Sequence, residues 1–257
     1  MTLLSAILLA ALQGLTEFLP VSSSGHLALF GMLLKVPRGD IGFEVVVHLG
    51  TVLAVLVVYG RDLASLLSGC LGRDRESLRM LGLLALASVP AGGVGYFLGD
   101  AVERAFGSPL LVSAMLLVTG TVLYLTRFAR PATRPSPGTA GAFLIGLAQA
   151  CAVLPGISRS GATISAGLFR RVEQSGAARF SFLLSVPAII GAGLLKAREI
   201  GEIDPGPALV GLLVSAAVGL LALRVLLRFL RSGRFGVFSW YCWLLGAAGI
   251  AFSLLKG

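Results

Sequence analysis

Six stretches of this chain are apolar for long enough to cross a lipid bilayer, and no soluble fold accommodates that pattern. They run at approximately 41–60, 80–99, 109–126, 177–198, 207–223 and 236–254. A hydrocarbon core about 30 Å thick takes about 20 apolar residues in helical conformation. Charge content agrees: 56% of the 257 residues are hydrophobic and 13% are charged, with a mean hydropathy of +0.92. A soluble domain carries about 25% charged residues, so there is too little polar surface here to clothe one. The expected fold class is an all-α polytopic membrane protein. Residues 2–12 are also apolar, but no basic residue precedes them and no small-residue cleavage site follows. They read as mature protein rather than as a signal peptide.

Two further apolar stretches, 2–35 and 139–171, are interrupted. The first breaks at Pro20-Val21-Ser22-Ser23-Ser24-Gly25 and the second at Pro155-Gly156-Ile157-Ser158-Arg159-Ser160-Gly161. Each arm is too short to span. Irregular backbone exposed to lipid leaves amides without partners, so each stretch is expected to form a re-entrant helix–loop–helix hairpin with its tip buried in protein. Placing the 61–79 loop inside and following six crossings puts fourteen basic residues on the inner side and six on the outer. That bias fixes the orientation. The first hairpin then enters from outside and the second from inside, each followed by three spans. The expected organisation is a single membrane domain built from an inverted repeat, 1–126 and 139–257. A weak internal match supports it: Gln13…Leu19-Pro20-x-Ser22-x-Ser24-Gly25 against Gln149…Leu154-Pro155-x-x-Ser158-x-Ser160-Gly161. Such repeats place a site near the midplane, where broken helices end.

The formal charge of +9 belongs with anionic lipid headgroups rather than nucleic acid, because no basic segment carries interleaved aromatics. Cys70, Cys151 and Cys242 are scattered, odd in number and without CxxC spacing, and suggest neither disulfide framework nor zinc site.

Glu17 carries the most information. An ionised carboxylate deep in an apolar hairpin costs about 2.5–3.5 kcal/mol even on lenient insertion scales, and therefore needs a cation, a metal or water. Gln13 stands four residues earlier, on the same helical face. Two oxygen donors at that spacing suit a hard divalent cation that keeps several waters and bridges to phosphate. Arg159, alone among the arginines in lying outside the loop regions and span ends, sits in the second tip beside Ser158 and Ser160, with Thr163 beyond. A guanidinium fork binds phosphate oxygens bidentately, and a helix N-terminus there adds amide donors. The plainer reading is a Glu17–Arg159 ion pair that serves packing alone, but it leaves the surrounding hydroxyls unexplained. His26 directly follows Ser22-Ser23-Ser24-Gly25, where an imidazole acts as base toward a hydroxyl nucleophile or as nucleophile itself; one of the serines is also a candidate helix cap. His48 lacks comparable company and reads as structural, with Glu44 as a candidate partner. Cation ligand, phosphate clamp and nucleophile or base together make up the equipment of phosphoryl transfer.

Gln13-Gly14-Leu15-Thr16-Glu17-Phe18-Leu19-Pro20-Val21-Ser22-Ser23-Ser24-Gly25-His26 resembles the first signature of the undecaprenyl-diphosphate phosphatase (bacitracin-resistance) family. Pro155-Gly156-Ile157-Ser158-Arg159-Ser160-Gly161-Ala162-Thr163 resembles the second, and Ala178–Pro187 a lesser one. The resemblance implies a bacterial inner-membrane enzyme, its site opening to the periplasm. It would convert undecaprenyl diphosphate to the monophosphate for cell-wall synthesis, confer bacitracin resistance, and depend on Mg²⁺ or Ca²⁺. By motif, Gln13 and Glu17 match the family's acidic pair and are its implied metal ligands. Gln at the first position weakens any mechanism that needs two carboxylates there. Ser23 and His26 match nucleophile and base in an order the sequence leaves open. Arg159 matches the diphosphate clamp, with Ser22, Ser24, Ser158, Ser160 and Thr163 as substrate-binding hydroxyls. The implied partners are the polyprenyl diphosphate substrate and bilayer lipids, with no nucleic acid; the oligomeric state is left open, a homodimer included.

Two rivals compete. The lipid phosphatases with a histidine nucleophile share Ser-Gly-His and Ser-Arg fragments, but after five intervening residues beyond Arg159 stands Ser165, not the histidine they require, and their upstream Lys/Arg-Pro element is missing. A transporter or polyprenyl-phosphate flippase also fits an inverted repeat with broken helices, and lacks only the need for a nucleophile.

Overall fold

The structure, a computed structural model, describes residues 2–33, 41–196 and 204–256. Among these the chain is helical, with one isolated bridge between Arg134 and Val172. The interrupted N-terminal stretch forms α1 (Leu3–Phe18) and α2 (Ser23–Leu33). It is followed by α3 (Ile41–Leu71), α4 (Arg75–Phe97), the short α5 (Gly99–Phe106) and α6 (Pro109–Leu125). The second interrupted stretch forms α7 (Thr139–Cys151) and α8 (Arg159–Phe169), followed by α9 (Gln174–Leu195), α10 (Pro205–Arg231) and α11 (Phe238–Lys256). Six helices are long and apolar enough to cross a membrane, and they fall on the six expected windows. At 1.5 Å per residue α1 is about 24 Å long and α2, α7 and α8 are shorter still, so none of the four covers a hydrocarbon core alone. Leu34 and Lys35, the end of the first expected hairpin, lie outside the described residues.

Three boundaries differ from the sequence reading, one of them the fifth span, expected to stop at residue 223 and continuing to Arg231. The first span, expected to stop at residue 60, continues to Leu71. Arg61 and Asp62 mark where the helix leaves hydrocarbon, not where it ends, since charged residues are sound helix formers once they reach water. Residues 100–106, expected as loop, form with Gly99 the two-turn helix α5. Elsewhere the ends follow local chemistry. Asp74 accepts the Ser77 N–H at 2.8 Å to cap α4, and Ser108 and Asp204 cap α6 and α10 just ahead of Pro109 and Pro205.

Small residues set the tightest packing, as in other membrane bundles. The first arm of one interrupted stretch packs on the second span after the other: α1 lies along α10, and α7 along α4. A Cβ at Gly14 would stand 2.7 Å from the Ser215 carbonyl oxygen, and one at Gly146 would stand 2.6 Å from that of Ala87. Helix α6 pairs with α11 in the same close manner. Phe18, Phe182, Leu223 and Leu226 fill the centre with essentially no exposure, while residues such as Leu194, Leu195 and Leu244 face outward, where lipid takes the place of a protein neighbour.

Candidate active site

The two broken stretches bring their turns together. In the first, Ser22 adopts a φ of 67°, a left-handed conformation rare for a residue with a side chain. Its Oγ accepts the Gly25 N–H at 3.2 Å, so α2 starts inside this turn. In the second, Gly156 at φ 95° occupies a position only glycine fits: a Cβ would run into the Val112 carbonyl and within 2.7 Å of the Met115 side chain. Thr119 of α6 secures that turn, donating to the Gly156 carbonyl at 2.8 Å and accepting the Ser158 N–H at 3.1 Å. Ser158 then caps α8 through the Gly161 N–H at 3.1 Å. Ser160 joins the turns by donating to the Leu19 carbonyl at 3.3 Å. Two helix N-termini, those of α2 and α8, thus meet at one place, and both carry partial positive charge.

Glu17, 7% exposed, lies where they meet. Its Oε1 accepts from Arg159 Nη2 at 2.8 Å. Its Oε2 accepts from Ser23 Oγ at 2.7 Å and Gln13 Nε2 at 2.9 Å, and His48 Nε2 stands 3.7 Å from the same oxygen. A cavity of about 340 Å³ opens above this cluster. Glu17, Ser22, Ser23, Ser24, Ser158 and Arg159 line it, together with His48, Glu44 and Lys196, while Val45, Val153 and Ile189 supply an apolar wall. Arg159 Nη1 is buried without a protein partner among the described residues. A buried guanidinium nitrogen left unpaired is costly, so this atom is a donor whose hydrogen-bonding capacity the described protein groups leave unmet.

The remaining expected residues are placed differently. His26 is 1% exposed and does not line the cavity. Its Nδ1 bonds the Ser22 carbonyl at 2.8 Å and its Nε2 the Tyr241 hydroxyl at 2.7 Å. The carbonyl can only accept, so Nδ1 carries the proton and Nε2 accepts from Tyr241. With its ring parallel to those of Tyr241 and Phe30, the imidazole holds the Ser22 turn and turns no nitrogen toward Ser23. Thr163 donates its hydroxyl to the Arg159 carbonyl or to Ser181 Oγ, 2.7 and 2.6 Å away, and Ser160 is fully buried against Leu19. Neither lines the cavity. Gln13 lies beneath it. Its amide N–H donates to Glu17 Oε2 at 2.9 Å, and its Oε1 is buried without a partner among the described residues.

His48, read from sequence as structural, faces the cavity. Its Nδ1 donates to the Glu44 backbone carbonyl at 2.6 Å, so its partner is the main chain and not the Glu44 carboxylate. A bonded Nδ1–H leaves Nε2 as the nitrogen directed at Glu17. Its sequence signal is the i, i−4 carbonyl on the same helix, but which face of α3 meets the turns is not written there.

Fold and site together define a multi-spanning helical membrane protein with a buried carboxylate–guanidinium–hydroxyl centre where two helix starts meet. The chain belongs to the family described as bacitracin resistance protein BacA, which matches residues 6–248. It is 44% identical to the undecaprenyl-diphosphatase of Desulfosudis oleivorans, over 95% of this chain and 96% of that one. It is 41% identical to the undecaprenyl-diphosphatase of Desulforapulum autotrophicum over 97% and 98%, and 36% identical to that of Methanosphaera stadtmanae over 98% and 99%.

Proposed function

We propose that this cavity is where the protein hydrolyses undecaprenyl diphosphate to undecaprenyl phosphate and inorganic phosphate, with Ser23 as nucleophile. The carrying observation is that Ser23 Oγ and Arg159 Nη2 meet on one buried carboxylate, at 2.7 and 2.8 Å, at the floor of a cavity entered by two helix N-termini. As Ser23 Oγ attacks the terminal phosphorus, its proton passes to Glu17 Oε2. Arg159 Nη1 and the amides at the starts of α2 and α8 neutralise the charge gathering on the phosphoryl oxygens. The bond from that phosphorus to the bridging oxygen breaks and undecaprenyl phosphate leaves. Water then attacks the phosphoserine, its proton taken by His48 Nε2; the Ser23 Oγ–phosphorus bond breaks, Oγ takes its proton back from Glu17 Oε2, and inorganic phosphate departs while His48 passes its proton to solvent. His26 and Tyr241 act as positioning residues that hold the Ser22 turn.

A divalent cation, Mg²⁺ or Ca²⁺, belongs to this reading. The cavity offers few protein ligands: among the described residues no three acidic, histidine or cysteine side chains group to hold a metal. That suits an ion held by one or two carboxylates and the substrate's own phosphates. Glu17 and Glu44 are the carboxylates that line the cavity, and Gln13, whose Oε1 is buried without a partner among the described residues, would add an amide oxygen beside Glu17. Bound there, the ion would screen charge on the diphosphate.

The exchanged packing of α1 on α10 and α7 on α4 supports an inverted repeat with re-entrant hairpins, since a two-fold relation between halves generates that pairing. The excess of arginine on the other face supports a site opening away from the cytoplasm, hence to the periplasmic side of a bacterial inner membrane. The test is phosphate release from undecaprenyl diphosphate by the purified protein, with and without EDTA, and acid-quenched phosphoenzyme sought on Ser23. Turnover that EDTA abolishes, with label on Ser23, is expected. Lipid movement without phosphate release would instead favour a carrier.

A further inference from the structure

We propose that a second cavity, on the arginine-rich face, binds the phosphate head group of an anionic lipid. This cavity, of about 900 Å³, lies between the C-terminal half of α3, the segment after α6, the start of α9 and the end of α10. It shares no lining residue with the Glu17 cavity. Tyr59 on its wall packs 6.0 Å from the Phe182 ring, which packs 5.7 Å from Phe18 beside Glu17, so packed aromatic rings separate the two.

Four arginines and two acids line the cavity: Arg127, Arg130, Arg179 and Arg231 against Asp62 and Glu173. Arg179 answers Asp62 with two hydrogen bonds, at 3.1 and 3.3 Å. Arg127 lies over the Tyr124 ring at 4.8 Å, a contact that leaves its N–H groups available. Among the described residues the Arg130 and Arg231 side chains have no ion pair or hydrogen bond. Net positive charge therefore remains on the wall. Beneath it the floor is apolar, formed by Val58, Leu168, Leu227 and Leu230. Gln174 and Ser175, in the first turn of α9, also line the cavity, and the N-cap residue Glu173 makes no side-chain cap bond to that turn. Guanidinium forks above a greasy floor, at the level where a bundle meets headgroups, match a phosphate monoester joined to a hydrocarbon chain. Free phosphate would satisfy the arginines and leave the floor unused.

Binding of dihexanoyl phosphatidic acid to the full chain in detergent, read by native mass spectrometry and calorimetry, tests this without any reference to turnover. The Glu17→Gln/Arg159→Ala background disarms the other cavity, and the same comparison in the otherwise native chain reads the binding component lost. Phosphatidate is expected to bind, with dihexanoyl phosphatidylcholine and inorganic phosphate each at least tenfold weaker. Arg130→Gln/Arg231→Gln should weaken phosphatidate about 30-fold, the loss of two interfacial charges. Arg130→Lys/Arg231→Lys should keep most of the affinity and serves as the folding control. Arg73→Gln/Arg75→Gln, in the α3–α4 turn away from the cavity, should change nothing. Equal binding of phosphatidylcholine, an undiminished affinity in the glutamine pair, or an equal loss in the Arg73/Arg75 pair would each overturn the site. Inorganic phosphate binding as tightly as phosphatidate would overturn the lipid assignment.

Discussion

Replacing Arg159 with alanine should damage the protein twice, once in its fold and once in its chemistry, and the two effects can be separated. Glu17 is 7% exposed and its Oε1 faces Arg159 Nη2 at 2.8 Å. Removing the guanidinium strands a buried carboxylate, a loss of about 3–5 kcal/mol for pairs of this kind. Ser23 and Gln13 still donate to Oε2, so the lower end, about 3 kcal/mol, applies here. Adding Glu17→Gln removes the stranded charge, and about 2 kcal/mol should return. Activity should not return. Arg159→Ala, Glu17→Gln and the double variant should each turn over at least about 100-fold more slowly than the parent, because a preorganised electrostatic group is missing in all three. Unfolding in detergent, followed by circular dichroism, reads the first effect; phosphate release from undecaprenyl diphosphate at a temperature where every variant is folded reads the second. A double variant no more stable than Arg159→Ala would refute the ion-pair energetics. A folded Arg159→Ala protein working at near-parental rate would remove the arginine from the site.

Ser23→Ala should lose at least about 100-fold in turnover and about 1.5–3 kcal/mol in stability, the hydrogen bond to the buried Glu17 carboxylate, and no phosphoenzyme should be trapped in it; label still recovered from the alanine protein would exclude the serine as nucleophile. His48→Gln should slow turnover by about 10²–10⁴ if its Nε2 takes the proton of the attacking water, whereas Tyr241→Phe, which removes only the outer anchor of His26, should cost less than about tenfold in the same phosphate-release assay. Gly14→Leu should abolish the folded state in a thermal scan, because no rotamer of α1 can avoid a Ser215 carbonyl 2.7 Å from its Cβ; a normal midpoint would mean that α1 and α10 are free to separate.

Much of this was written locally. Apolar length alone fixes six spans, because the bilayer asks for about 20 residues wherever they occur. The breaks at Pro20–Gly25 and Pro155–Gly161 are legible because proline, glycine and serine interrupt a helix by backbone chemistry that needs no partner. Glu17 and Arg159 stood out for the same reason: a charge in hydrocarbon is costly regardless of surroundings, so its presence demands a counterpart before any counterpart is known. What the sequence could not carry is direction. Ser22, Ser23, Ser24 and His26 are neighbours in the chain, yet Ser23 reaches Glu17 while His26 turns to Tyr241, 215 residues away. His48 lacks motif company and still stands 3.7 Å from the central carboxylate. Which nitrogen meets which oxygen depends on how α3, α8 and α11 rotate about their axes, and that rotation is set by packing between segments far apart in sequence. Residue type and spacing determined which groups need partners; only the tertiary fold, through helix rotation and the close approach of glycine faces, decided which partners they find.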